Sequence, residues 1–283
     1  MRFALVFDSP AEQGGWMPQR ENILSQIGEV ETVCSEMIMD GCLQDFDAVV
    51  FPGGIASFYG LKKWGNDFAL AVRFFVATGG GYLGICGGAY IAIEAPAGIF
   101  GVYCNRTLAL IDAQGSTPGV PLLASYIAFL DQLFPEFVEI ETISHPIISG
   151  HQGELLEFPW SGGPGFFNLG ETVTVLARYR ELEWQGQAAL IASTFGQGRV
   201  VLCGPHPETP WDGLIGEAAV PWLYPRMATY VAERAIRTSF PLLPWAKPKP
   251  LPGGLPIMLG AGALTIGMVA GMKMKGRYNH GRM

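Results

Sequence analysis

The run Gly84-Ile85-Cys86-Gly87-Gly88 constrains what this chain can fold into more than any other stretch. It follows the apolar Gly81-Tyr82-Leu83 and precedes the helix-compatible Ala89-Tyr90-Ile91-Ala92-Ile93, so it must convert a strand into a helix within a few residues. Such a turn is crowded, tolerates little but glycine around its centre and lifts the central side chain to the top of a sheet. It also sets the Cys86 sulfur at a helix start, where unpaired N–H groups and the dipole favour a thiolate. Further on, Val201-Leu202-Cys203-Gly204-Pro205-His206-Pro207-Glu208 reads as a strand that ends in a histidine and, two positions later, a carboxylate. The chain therefore offers a nucleophile in Cys86, a general base in His206 and, in Glu208, an acid that holds the imidazole tautomer. His145 is the rival base, with His151 and His280 behind it.

The first half alternates short apolar, β-branched runs with helical stretches, the pattern of a parallel sheet covered on both faces. The expected elements are a strand from Arg2 to Phe7, a helix from Pro18 to Ile27, and strands from Val30 to Cys34 and Asp47 to Phe51. Phe68, Val72, Phe75 and Val76 recur at helical spacing, which predicts a helix from Asp67 to Thr78 that Gly79-Gly80-Gly81 ends. Later strands are expected at Thr107 to Ile111, Val173 to Ala177, Ala188 to Thr194 and Arg199 to Cys203. The last three are close enough in sequence to be antiparallel edge strands, and a final helix runs from Leu223 to about Arg237. The fold class is thus α/β, flavodoxin-like, with a mostly parallel sheet and helices on both faces.

Residues 1–240 form one domain in this reading. Five prolines between Pro241 and Pro252 make 241–254 an extended linker. From Leu255 to Met272 no residue is charged, and Lys273, Lys275, Arg277 and Arg282 follow. Eighteen helical residues span about 27 Å, close to a bilayer's hydrocarbon thickness, so 255–272 reads as a transmembrane helix and 273–283 as a basic tail. The first strand begins too early for a signal-peptide core, so export is not expected. The expectation is a single-pass membrane protein anchored through its C-terminus, with the catalytic domain beside Lys247 and Lys249 in the cytoplasm, against the pull of the basic tail toward the same side. Five cysteines without CxxC spacing fit a reducing compartment and neither a disulfide framework nor a zinc site. A net charge of −7 and a pI near 5.1 argue against nucleic acid as a partner.

Phe51-Pro52-Gly53-Gly54 closes the third strand. Its adjacent glycines let backbone N–H groups approach a carbonyl oxygen, so Gly53, Gly54 and the Gly87 N–H are the expected oxyanion hole. Trp160-Ser161-Gly162-Gly163-Pro164-Gly165 looks like an irregular loop lining a pocket. No glycine run carries the Lys-Ser/Thr of a phosphate loop, Gly79-Gly80-Gly81 precedes a strand instead of opening a helix and so is no dinucleotide fingerprint, and no metal-ligand spacing is visible. No cofactor is expected.

Together, Phe51-Pro-Gly-Gly54, Gly81-Tyr-Leu-Gly-Ile-Cys-Gly-Gly-Ala-Tyr90, Gly162-Gly163-Pro164 and Gly204-Pro-His-Pro-Glu208 resemble the class I glutamine amidotransferase-like superfamily. The nearest branch is the one found as the N-terminal domain of eukaryotic biotin protein ligases and as stand-alone bacterial proteins. The resemblance covers about residues 1–240. It implies a flavodoxin-like sheet and a Cys-His-Glu triad at Cys86, His206 and Glu208, acting on a small-molecule amide through a thioester. Tyr90 stands where glutaminases usually carry a substrate-holding glutamine, which leaves glutamine as substrate open. Gly87 stands where the related chaperone and peptidase branch has histidine. The chain holds no ligase domain, so an ammonia or acyl acceptor would be another protein. The expectation is a membrane-tethered, cysteine-dependent amide hydrolase or amidotransferase-like enzyme. The alternatives are a degenerate triad domain that binds a small metabolite or partner protein at the membrane, and an assembly module.

Overall fold

Apolar runs too short for helices lie side by side as the centre of a single sheet. The computed structural model describes residues 1–8, 17–96, 106–116, 134–181, 184, 186–210 and 218–233. Among them the chain forms β1 (Arg2–Val6), α1 (Met17–Ser25), β2 (Glu29–Val33), α2 (Ser35–Met39), β3 (Ala48–Phe51) and α3 (Tyr59–Trp64). Next come α4 (Asn66–Ala77), β4 (Gly81–Ile85), α5 (Gly87–Ala92), β5 (Ile93–Pro96), β6 (Ile111–Ser116) and β7 (Phe134–Ile140). The last elements are β8 (Leu155–Trp160), β9 (Gly165–Phe167), β10 (Thr174–Tyr179), β11 (Ala188–Phe195), β12 (Gly198–Cys203) and α6 (Leu223–Ala232).

The sheet order is β2-β1-β3-β4-β12-β11-β10-β7-β8, with β5, β6 and β9 off this path. Its first five strands pair in parallel, which is the flavodoxin-like half. From β12 to β8 every pairing is antiparallel. The three late strands thus run antiparallel as expected, but they continue into β7 and β8 instead of ending the sheet. Pro135 and Pro159 face each other in that last pair and interrupt the alternation by which its strands could be read from sequence. The strand expected from Thr107 starts only at Ile111. Ala109 has a φ of +44°, and Leu108 and Leu110 donate instead to Ile91 and Ala92 carbonyls at 2.6 and 2.8 Å.

Side chains alternate across the parallel strands into two cores. Ala4, Val6, Val49, Phe51, Tyr82 and Leu202 pack with Phe68, Val72 and Phe75 of α4. Phe3, Leu5, Val50, Leu83, Ile85 and Val201 pack on the other face with Ile23 and Leu24 of α1 and with Leu223, Met227 and Val231 of α6. Burying a side chain such as Phe68 contributes about 2–3 kcal/mol, so these stripes hold the helices in place more than their intrinsic propensities do. Gly79, with φ +105°, ends α4 in the left-handed cap that only glycine adopts freely.

The C-terminal ends of β3, β4 and β12 lie together, so the loops after Phe51, Ile85 and Cys203 meet at one rim of the sheet. The expected linker 241–254, transmembrane helix 255–272 and tail 273–283 lie outside the described residues. Among the described residues no helix is long and apolar enough to cross a membrane.

Candidate active site

The β4–α5 turn is the strained elbow its glycines predict. Cys86 has φ +49° and ψ −105°, a conformation that costs a non-glycine residue about 1–3 kcal/mol. Hydrogen bonds hold it there. The Cys86 N–H donates to the Cys203 carbonyl at 2.8 Å, and the Cys86 carbonyl accepts from Ala89 and Tyr90 N–H groups at 3.0 Å. The flanking glycines are required for close approach. A Cβ on Gly87 would lie 2.3 Å from the Gly54 carbonyl oxygen, and one on Gly88 2.1 Å from the Phe51 carbonyl oxygen. The β3 loop is thus pressed against the start of α5, with Gly88 N–H donating to the Pro52 carbonyl at 3.1 Å.

His206 arrives from the loop after β12, pinned by its own N–H to the Pro159 carbonyl at 2.7 Å. Its ring is oriented at both ends. Nδ1 lies 3.1 Å from Glu208 Oε1. The Cε1–Nε2 edge faces Gly53, where a Cβ would lie 2.5 Å from Cε1, 3.3 Å from Nε2 and 3.1 Å from the Cys86 Cβ, and the ring also hydrogen-bonds with the Cys86 side chain. Cys86, His206 and Glu208 therefore stand in a row, with the imidazole in the middle. His206 and Glu208 are buried, and Cys86 is 7% exposed.

Burial alone would push the His206 pKa down. The Glu208 carboxylate, the Cys86 sulfur and the hydrogen bonds to both outweigh it and raise the value to about 9. Burial would likewise raise Glu208, but the Arg20 guanidinium and His206 hold its carboxyl down at about 2. Charge attraction in a dry site decides both directions.

Of the other residues singled out in the sequence, Gly53 and Gly54 form the loop over the elbow, Gly54 with φ +99°. Gly162, φ +74°, and Gly163 lie on the facing loop, where the Ser161 carbonyl oxygen is 3.5 Å from Cys86 Sγ. This loop is more regular than its composition suggests. It links β8 to the short strand β9, and the Trp160 indole N–H donates to the Gly163 carbonyl at 2.9 Å. A Cβ on Gly163 would lie 1.8 Å from the Gly204 carbonyl oxygen, so the loop is seated on the segment that carries His206. Tyr90 is fully buried in the core beneath the elbow. His145 lies apart from this row, its ring 4.8 Å from that of Tyr230 on α6. His151 is stacked on Trp222 at 3.8 Å. Among the described residues no group of three or more His, Cys, Asp or Glu could hold a metal ion.

One residue of this centre escapes a motif search. Arg20, on α1, is fully buried and places Nε and Nη2 at 3.1 and 2.9 Å from Glu208 Oε1. Its signal in the sequence was positional. Arg20, Ile23 and Leu24 share the buried stripe of α1, and an arginine at an apolar position of a helix needs an acidic partner.

The sequence model of the family described as biotin-protein ligase, N terminal, matches residues 18–221. A biotin–protein ligase of Schizosaccharomyces pombe is 27% identical over an alignment of 178 residues that covers 58% of this chain and 26% of that protein. The chain thus spans about a quarter of the length of this curated relative. A crystal structure of a glutamine amidotransferase superposes with a TM-score of 0.53 at 21% identity, covering 81% of this chain and 96% of that one. The PurLQS structure from Thermotoga maritima gives 0.55 at 18% identity over 81% and 98%. At such identities the two structures speak for the shared fold alone.

Proposed function

Because the chain belongs to the biotin-protein ligase N-terminal family, we propose that it is a cysteine-dependent amide hydrolase or amidotransferase-like enzyme. It works through Cys86, His206, Glu208 and a thioester. The observation that carries this reading is the His206 ring, held between Glu208 Oε1 at 3.1 Å and the sulfur side of the elbow. A histidine buried for packing needs no carboxylate on one nitrogen and a thiol at the other edge.

In this reading the Cys86 thiolate attacks the carbonyl carbon of a small-molecule amide, forming the S–C bond. The negative charge passes to the carbonyl oxygen, where N–H groups of Gly87 and of Gly53-Gly54 receive it; one such donor is worth about 3 kcal/mol of barrier. The intermediate collapses, the C–N bond breaks, and the His206 imidazolium gives its proton to the leaving nitrogen. Water, or an amine of an acceptor protein, then attacks the thioester while His206 takes its proton. The C–S bond breaks and the thiolate and imidazolium are restored. Arg20 stays outside the proton path.

Acyl transfer to hydroxylamine tests this directly. Incubation of the protein with hydroxylamine and glutamine, asparagine or biotinamide should yield a hydroxamate from at least one amide, and Cys86→Ala should abolish it. Biotinamide is included because the fission-yeast relative bears biotin in its name. Hydroxamate formed equally by Cys86→Ala would remove Cys86 from the chemistry. Its absence from every amide, with tight binding of one of them, would leave the domain as a binding module.

Residues 255–272 belong to the same reading as a membrane anchor, supported by eighteen uncharged residues ahead of Lys273, Lys275 and Arg277. The full chain should pellet with phospholipid vesicles. Recovery wholly in the supernatant would remove the anchor.

A further inference from the structure

A carboxylate buried as deeply as Glu208 is an expensive group unless it is paired. Glu208 Oε1 accepts from His206 Nδ1 at 3.1 Å and from Arg20 Nε and Nη2 at 3.1 and 2.9 Å, all inside the protein. Arg20 comes from a helix 188 residues earlier in the chain, so the contact is built by the fold and does not follow from the loop itself. Among the described residues, the other groups that face this carboxylate carry no positive charge. Tyr224 on α6 senses both Glu208 and Arg20, and its hydroxyl, like Glu208 Oε2 and Thr209 Oγ1, is buried with no hydrogen-bond partner among the described residues. The Cys203 thiol at the end of β12 is also buried and feels the Glu208 and Cys86 charges.

We infer that Arg20 is a positioning residue for this chemistry: it keeps the Glu208 carboxylate ionised and aimed at His206 Nδ1, and thereby holds His206 in the form that pairs with the Cys86 sulfur. The inference rests on the reading of Cys86 as the nucleophile. Charge balance gives its reason. With the thiolate and imidazolium formed, the buried row carries Arg20⁺, Glu208⁻, His206⁺ and Cys86⁻, and its sum is zero. With the thioester formed and the proton gone to the leaving nitrogen, Arg20⁺ and Glu208⁻ remain, and the sum is again zero. Without Arg20 both states would bury a net negative charge, which the site would relieve by protonating Glu208 and losing the acceptor that orients the ring. The low pKa of the Glu208 carboxyl agrees with this, since Arg20 is the largest charge that lowers it.

The test is the rate at which iodoacetamide modifies Cys86 in the full chain, followed by peptide mass spectrometry across pH, with circular dichroism to confirm that each variant is folded. The unaltered protein should remain reactive on the acid side, through the thiolate paired with imidazolium. Arg20→Gln should lower the rate near pH 6 by about tenfold or more relative to its own rate near pH 9, because His206, without an ionised Glu208 beside it, would no longer stand as imidazolium next to the sulfur. Glu208→Gln should do the same, and adding Arg20→Gln to it should change the rate less than about twofold, because Arg20 acts through Glu208. Arg20→Lys, which keeps the charge, should restore the acid-side rate to within about threefold. An acid-side rate that survives Arg20→Gln, or that falls as far again when Arg20→Gln is added to Glu208→Gln, overturns the role of Arg20. If Arg20→Gln does not fold, Arg20→Lys is compared with Glu208→Gln alone, and equal loss in the two overturns it. An ordinary thiol profile in the unaltered protein instead sinks the nucleophile reading, and the role of Arg20 with it.

Discussion

Glu208→Gln should lower the unfolding free energy by about 3–5 kcal/mol, the usual cost of removing one partner from a buried ion pair. The substitution barely changes volume, so no cavity is made; the loss comes from Arg20, left charged and fully buried without its counter-charge. In urea the midpoint should fall at an unchanged m-value, and the melting temperature should drop by roughly 10 °C for a domain of this size. The pH dependence gives the sign. Glu208 is held at about 2 in the folded protein against 4.5 for the free side chain. Its contribution is therefore full above about pH 4.5 and is lost as pH falls toward 2, so the gap between variant and parent should close on acidification. His206 is raised to about 9 from 6.5, so its contribution is full below about pH 6.5 and disappears as pH rises through 9. The unaltered protein should accordingly lose stability between pH 6.5 and 9, and Glu208→Gln should lose less over that interval. A loss under about 1 kcal/mol near pH 6 would mean that the Arg20–Glu208 pair is absent in solution.

Much of this centre could be read from the chain because its parts sit on short local patterns. A glycine-framed cysteine after an apolar run can be satisfied by few backbones other than a strand-to-helix elbow, and the backbone at Cys86 is that elbow. Phe51-Pro-Gly-Gly54, the elbow and Gly204-Pro-His-Pro-Glu208 each follow a strand-like run in the sequence, and β3, β4 and β12 end at one rim. Arg20 lay beyond that kind of reading, because its meaning depends on a partner 188 residues away. The hairpin of β7 and β8 was hidden for another reason. Proline at Pro135 and Pro159 and an exposed Phe137 and Leu155 blur the alternation that marks a half-buried strand. Tyr90, which stands where glutaminases usually carry a substrate-holding glutamine, has its side chain buried in the core.

The second large effect concerns the order in which cysteines react. Cys34 and Cys42 are half-buried, whereas Cys86 is 7% exposed and Cys203 is wholly buried. Accessibility alone would therefore let iodoacetamide modify Cys34 and Cys42 before Cys86. Chemistry points the other way for one of them. Burial and the neighbouring Glu31 and Cys34 push the Cys42 thiol up to about 12, so it offers almost no thiolate at neutral pH, and burial likewise pushes Cys203 well above the usual thiol range. At Cys86 the imidazolium of His206 stands beside the sulfur. Replacing it by His206→Ala removes both the charge and the base, which should slow modification of Cys86 at neutral pH by about tenfold to a hundredfold.

Whether the sulfur and the imidazole act as a pair is settled most directly by timed iodoacetamide labelling near pH 7, read cysteine by cysteine by peptide mass spectrometry in the unaltered protein and in His206→Ala. Cys86 should be modified ahead of Cys34 and Cys42 despite its smaller exposure, and should lose that lead in His206→Ala. Modification of Cys34 first, with a Cys86 rate that His206→Ala leaves unchanged, would show that the two groups do not act together and would contradict the proposed chemistry.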